Sequence, residues 1–341
     1  MNWHKKTALV TGGCGHIGSH VVRALLKRNT NKIIILDNMS AYPFDQTSLF
    51  CSDLKDKDNV EIVKGDICDE NLLSNLMRTE KIDIVFHLAA YADVAATIYN
   101  PDEDFRTNVV GTYTVLKASK DANVERFVFA SSASVYGDQP WRNSRPPKFK
   151  EDLKPNPLST YANSKLWGEN EAILFHKLYN LNAVALRYFS IYGPMQIPKP
   201  KSHSWVIAIF LMKALKGKPL TVYGGNQVRD FIYVEDVAEA TVRASESKEA
   251  QGQIINVGTG VPTRIIDLAE MIRELLHDTL NINIKIEVLN YRPKGDPLGG
   301  YADTSKMESL LGFKPRTPLI QGIRKSLEWY NDHKEFIPKW I

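Results

Sequence analysis

Tyr161 and Lys165 stand four residues apart in Tyr161-Ala-Asn-Ser-Lys165, so on a helix a phenol and an ammonium share one face. A neighbouring ammonium favours phenolate and is expected to lower the tyrosine from about 10 toward neutrality, where it can take a proton and return it. Upstream, Ser131-Ser-Ala-Ser-Val-Tyr-Gly137 closes a short apolar strand, which brings hydroxyls to the edge of a cleft where one can hold a substrate oxygen beside Tyr161. An isolated Tyr/Lys pair is usually a solvated helix face. The serine cluster before it is what makes it a proton-transfer site.

A second chemistry lies at the N-terminus. In Thr11-Gly-Gly-Cys-Gly-His-Ile-Gly-Ser19, Gly12, Gly15 and Gly18 follow a strand and open a helix, a spacing that lets backbone approach a pyrophosphate at the helix N-terminus. The next strand ends in Asp37-Asn38, where a carboxylate accepts hydrogen bonds from an adenosine ribose and repels a 2′-phosphate. NAD is therefore expected rather than NADP. Asp66, in Gly65-Asp66-Ile67, is placed to meet an adenine amino group, and Leu88, Ala89 and Ala90 after His87 are small or apolar where the dinucleotide would pass. His16 and His20 stand four apart, but no third ligand has metal spacing, so no metal site is read. Cys14 is read as a small loop residue rather than a nucleophile, because no base is placed beside it.

These groups need a scaffold, and the apolar periodicity supplies one. Thr7–Val10, Lys32–Leu36, Val60–Val63, Ile82–His87, Arg126–Ala130 and Ala183–Arg187 read as buried strands. Helical patterns over Ile17–Lys27, Asn71–Glu80, Asn108–Ala122 and Tyr161–Tyr179 separate them. That alternation predicts an α/β fold: a Rossmann-type, doubly wound parallel sheet with a smaller C-terminal α/β cap that binds substrate. Residues 1–190 are assigned to the dinucleotide-binding domain, with 229–260 returning to it; residues 191–228 and 261–341 form the cap. Pro194, Pro198, Pro200 and Pro219 mark the change of rhythm.

Of the 341 residues, 43% are hydrophobic and 24% charged, which suits a large core and excludes a disordered chain. The longest apolar run, Val206 to Met212, is too short to span a bilayer, and the opening residues carry no secretory pattern. Three cysteines without CxxC spacing read as free thiols, so a cytoplasmic protein is expected. A formal net charge of +4 without a basic block argues for an anionic small molecule and against nucleic acid.

Thr11–Gly18, His87–Ala90, Asn108, Ser131–Gly137, Tyr161–Lys165 and Arg187–Pro194 together resemble the extended short-chain dehydrogenase/reductase family. The match to its nucleotide-sugar branch continues through Val228–Asp236, Asn256–Gly260, Arg292–Asp296, Tyr301–Lys306 and Leu311–Pro315, and is most like the UDP-hexose 4-epimerases. The resemblance implies Ser132, Tyr161 and Lys165 as the catalytic set. It implies an NAD site that takes in His16, Ile17, Asn38, Ile67, Asn108 and Tyr188 as well. It places Arg229 and Arg292 on the diphosphate, Asp296 on the uridine ribose, Tyr223 near the uracil and Ser190 on the substrate. Guanidinium forks suit diphosphate oxygens independently of that likeness. The resemblance also implies a homodimer paired through the 108–122 and 161–179 helices. It makes Gly300 a gate whose missing side chain admits 2-acetamido sugars, so UDP-GlcNAc and UDP-GalNAc are expected beside UDP-Glc and UDP-Gal.

Competing readings remain within the same scaffold. Sugar-nucleotide 4,6-dehydratases carry an Asp-Glu pair where Ala133 and Ser134 stand, so the groups for eliminating water are missing. Ser190 replaces a common Asn and Met195 a common Arg. The first keeps UDP-glucuronate 4-epimerase as the alternative; the second tells against it. A non-catalytic sensor or scaffold that binds NAD or a sugar nucleotide is the alternative outside enzymes.

Overall fold

The computed structural model describes residues 1–41, 49–199, 204–293 and 295–341. Pro200 of the cap boundary and Lys294 of the Arg292–Asp296 motif lie outside the described residues.

Along the chain, β1 (Thr7–Thr11), α1 (His16–Leu26), β2 (Lys32–Asp37), β3 (Val60–Lys64), α2 (Glu70–Thr79) and β4 (Ile84–His87) build the first half. Next come α3 (Thr112–Asp121), β5 (Arg126–Ser132), β6 (Lys148–Phe149), α4 (Thr160–Tyr179), β7 (Ala183–Tyr188) and β8 (Ser190–Tyr192). The remainder contains α5 (Val206–Leu215), β9 (Leu220–Tyr223), β10 (Val228–Tyr233), α6 (Val234–Glu246), β11 (Ile254–Val257) and β12 (Pro262–Arg264). It ends with α7 (Ile265–Leu280), β13 (Ile286–Leu289), β14 (Tyr301–Ala302) and α8 (Leu319–Asp332).

Seven strands form one parallel sheet in the order β11-β7-β5-β4-β1-β2-β3. β1, β2 and β4 are almost wholly buried, so the unbroken Val/Ile/Leu runs are what a sheet covered on both faces requires. The strand order reverses between β1 and β4, and the crevice beyond their C-terminal ends is where such sheets bind ligands.

Only part of 229–260 returns to this sheet. β11 pairs with β7, but β10 joins a small sheet with β8 and β12. The parallel pairs β9–β13 and β6–β14 complete the cap. Two further differences concern element ends. The helix expected from Asn108 begins as a π-helical stretch, Phe105–Gly111, before α3 proper. The buried Asn108 side chain sits in that stretch, bonded to Tyr91, Asp104 and Ser164, and π turns are often found at such specialised positions. The expected strand at Ile82 starts instead at Ile84, because Ile82 bonds back to Met77 in the turn after α2.

Candidate active site

A cavity of about 520 Å³ opens at the C-terminal ends of β1, β4 and β5 and is closed by the cap. Its floor begins at the glycine loop. Gly12 holds φ +71°, and a Cβ there would lie 2.7 Å from the amide nitrogen of Ala89. A Cβ at Gly18 would collide with the Gly12 carbonyl oxygen. Both positions therefore need glycine to bring α1 against β1. Gly15 is the N-cap of α1 and no side chain caps that helix, so the first-turn amides of His16 and Ile17 remain for an anion. The imidazole Nε2 of His16 donates to the Pro194 carbonyl at 3.0 Å and ties this loop to the cap. Burial lowers His16 to about 4, so it is neutral.

Asp37, nearly buried, accepts from the amides of Cys14 at 3.0 Å and Met39 at 2.9 Å, which fixes its carboxylate at the cavity wall. Asn38, Ile67, Leu88, Ala89 and Ala90 also line the cavity. Tyr188 lines it with its ring, while its hydroxyl meets Thr241 Oγ1 at 2.7 Å. Three expected cofactor residues do not line the cavity: Lys165, whose ammonium is turned to the Ala130 carbonyl, Asp66 and Asn108. Asp66 pairs with Arg106 at 2.7 Å and does not line the cavity, whereas its neighbours Gly65 and Ile67 do. Asn108 is buried behind the wall, where it bonds Tyr91 through both backbone groups and so holds the Leu88–Tyr91 segment in place.

At the reacting end, β5 stops at Ser132 and α4 begins at the N-cap Ser159, with Tyr161 in its first turn. The Tyr161 phenol lies beside Ser132, whose Oγ accepts from the Ser134 amide at 3.1 Å and the Ser134 hydroxyl at 2.9 Å. Lys165 lies one turn on, buried, with Nζ donating to the Ala130 carbonyl at 2.8 Å and lying 6.0 Å from the Tyr161 ring centre.

The expected lowering of the phenol is absent. Burial pushes Tyr161 up to about 12, and the hydrogen bond from Ser132 offsets this only in part. Asp104 and Asp93 act in the same direction as burial. Burial also lowers Lys165 to about 8. Desolvation dominates both groups, so a bound cation or the developing charge of a reaction must favour the phenolate.

The substrate side departs further from expectation. Ser190, Tyr223, Arg229, Asp296 and Gly300 line the cavity, but Arg292 does not; it reaches Asp138 at 3.3 Å on the rim. Arg229 and Asp296, expected on separate parts of a ligand, form an ion pair with each other, and Gln227 also donates to Asp296 at 3.0 Å. Tyr223 packs edge-on against Tyr291, ring centres 5.3 Å apart. Gly300 presents no side chain, yet a Cβ there would strike the Pro147 carbonyl and lie 2.7 Å from the Phe149 ring. A tyrosine at this position reaches the sugar only by displacing β6, so it is a poor probe of the gate.

Sequence reading missed three supports. Glu169 and Arg187 form a buried bidentate ion pair, with Nη2 to Oε1 at 2.6 Å and Nε to Oε2 at 2.9 Å. Ser131 donates to the same carboxylate at 2.8 Å, which turns it away from the substrate and leaves Ser132 as the cleft hydroxyl. Asp230 gathers the amides of Thr259, Gly260 and Ala302, and so seats the start of β14 beside Arg229. The Asp within Val228–Asp236 was a visible signal for the last; nothing local marked the Glu169–Arg187 pair. Cys14, Cys51 and Cys68 form no disulfide, and Cys51 donates to Cys14 Sγ at 2.8 Å.

The fold and cavity define an α/β dinucleotide-binding protein in which Ser132, Tyr161 and Lys165 lie close together at one end of the cleft. Residues 8–258 match the NAD dependent epimerase/dehydratase family, and the chain belongs to it. Its cofactor is NAD, and the cradle fits: uncapped helix amides face the cavity, and the Asp37 carboxylate is held where a ribose would lie. A putative UDP-glucose 4-epimerase of Methanocaldococcus jannaschii is 35% identical over 332 residues, covering 95% of this chain and 98% of that one. The UDP-N-acetylglucosamine 4-epimerase from Methanobrevibacter ruminantium, solved with UDP-N-acetylmuramic acid, is 33% identical with a TM-score of 0.84, covering 96% and 99% of the two chains. UDP-glucuronic acid 4-epimerase from Bacillus cereus, solved with UDP-glucuronic acid and NAD, is 31% identical with the same TM-score, 0.84, and covers 96% and 99%. Among the described residues, no helix is long and apolar enough to cross a membrane.

Proposed function

We propose that the chain is a UDP-sugar 4-epimerase working through a transient 4-keto sugar. The observation that carries this reading is the Tyr161 phenol beside Ser132, one turn from Lys165, in the same cavity as the glycine loop and Asp37. NAD, held by the glycine loop and Asp37, would supply the hydride acceptor and donor for C4. Tyr161 takes the proton of the sugar 4-hydroxyl and gives it back at the end, while Ser132 holds that oxygen. Tyr161 sits in the first turn of α4, where the positive end of the helix dipole favours its phenolate. Lys165 holds a buried positive charge beneath it and has a second role on the cofactor ribose. Arg229 would exchange Asp296 for the diphosphate, freeing that carboxylate for the uridine ribose; Arg292 would swing in from the rim. Release of the sugar from one face and rotation about its phosphate linkage then present the other face to the returned hydride.

Ala133 and Ser134 argue against dehydration, since neither can serve as the acid and base that elimination needs. Acceptance of UDP-GlcNAc and UDP-GalNAc beside UDP-Glc and UDP-Gal is supported by the likeness to the UDP-N-acetylglucosamine 4-epimerase of Methanobrevibacter ruminantium rather than by Gly300, whose Cβ direction faces Pro147 and Phe149. Val110, Tyr113, Leu174, Leu178 and Tyr179 are exposed on the π-helical turn, α3 and α4, which supports a homodimer, open to test by mass in solution.

The decisive experiment incubates the purified protein with UDP-sugars and no added NAD, and resolves the 4-epimers by NMR. Interconversion without net NADH release is expected; NADH accumulating with an oxidised sugar would overturn the reading. Tyr161→Phe is expected to cut turnover about 10²-fold or more while NAD stays bound.

A further inference from the structure

The cavity contains a cation that this mechanism leaves unused. Most charged side chains lining it are matched. Arg229 pairs with Asp296, Asp37 and Asp230 are held by backbone amides, and Glu103 meets Thr107 and Arg106. Lys199 lines the same cavity but forms no ion pair or hydrogen bond with any described residue, and its ammonium lies 5.2 Å over the ring of Tyr91. A cation over an aromatic face is only partly compensated, and burial lowers Lys199 from its ordinary value, with the Asp93 carboxylate opposing this only in part.

Its position is at the reacting end. Tyr91 follows β4 closely, and Asn108 clamps it by both backbone groups. The buried carboxylate of Asp93 acts on both Tyr161 and Lys199, although it stands beyond ion-pair distance of Lys199. Lys199 therefore shares a neighbour with the proton-transfer residue. The diphosphate already has Arg229 and Arg292 as its candidates in the cap. Lys199 also lies four residues after Met195, which stands where an arginine is common, so the same segment supplies a cation from a different position.

We propose that Lys199 pairs with a carboxylate on the sugar, so that the preferred substrate is a UDP-linked acidic sugar rather than a neutral hexose. The proposal rests on the epimerase reading and sharpens it. A hydrogen bond between charged partners away from bulk water discriminates by about 10- to 100-fold.

The test uses the full-length protein with bound NAD and compares UDP-glucose, UDP-glucuronate, UDP-GlcNAc and the C6 acid of UDP-GlcNAc. The unmodified protein is expected to favour the acids in kcat/KM by about 10-fold or more. Lys199→Met should lower the acid-to-neutral ratio of kcat/KM by about 10- to 100-fold, chiefly through KM, and Lys199→Arg should restore most of it. Equal losses on acid and neutral sugars would assign Lys199 to the diphosphate or the wall and overturn the proposal, as would an unchanged ratio. Turnover of neutral sugars alone would leave the epimerase reading standing and remove this one. Should no sugar turn over, the epimerase reading fails, and calorimetric titration of UDP-glucuronate against UDP-glucose with and without Lys199 still decides the pairing.

Discussion

Replacing Ser132 by alanine removes the hydroxyl that hydrogen-bonds the Tyr161 phenol. Burial holds that phenol at about 12, so near neutral pH only about one in 10⁵ is ionised in the protein without ligand. A donor to an ionised partner contributes about 1.5–3 kcal/mol, or about one to two pKa units. Losing it raises the phenol further, and below that pKa the phenolate fraction falls by the same factor. Turnover should therefore drop about 10- to 150-fold, with the rising limb of kcat against pH displaced upward by about one to two units. The assay follows UDP-sugar epimerisation from about pH 6 to about pH 10, with bound NAD measured separately. Ser132 also caps the short turn Ala133–Tyr136 by accepting from Ser134, so Ser132→Ala should lose about 1 kcal/mol of stability as well. Ser132→Thr keeps the hydroxyl and separates the two effects. Alanine at this position with turnover within threefold of the unmodified protein, and an unmoved pH limb, would refute the reasoning.

Gly18→Ala sets a methyl against the Gly12 carbonyl, so copurified NAD, read by absorbance after denaturation, should be lost while the fold survives. Glu169→Ala strands Arg187 in the core and should cost about 3–5 kcal/mol by urea unfolding, with Glu169→Gln intermediate because Ser131 and one guanidinium contact can remain. His16 and His87 are buried and neutral, lowered to about 4 and about 3. Their contribution to stability is complete above about 6.5 and is lost as pH falls toward those values, at about 1.4 kcal/mol per pH unit for each. Urea midpoints should accordingly decline from about pH 6.5 to about pH 4 with proton uptake on unfolding. A flat midpoint over that range would show that neither ring is held neutral.

The elements were legible because their causes are local. Glycine at 12 and 18 is dictated by φ and by the approach of α1 to β1, and fully buried parallel strands must read as unbroken β-branched runs. The placement of Ser132, Tyr161 and Lys165 near one another was readable for the same reason, since it follows from helix spacing and a strand end. What the chain did not announce depends on partners far apart in sequence. Asn108 left the cofactor for the Tyr91 backbone, Arg292 turned to Asp138, and Arg229 closed on Asp296. Desolvation, which no spacing reports, reversed the expected lowering of Tyr161. Lys199 carried no signal as one of 43 basic residues, and became informative only when folding laid it over Tyr91 inside the cavity with no ion-pair partner among the described residues. Charge balance inside a cavity is a property of the assembled walls, so only the tertiary structure could decide it.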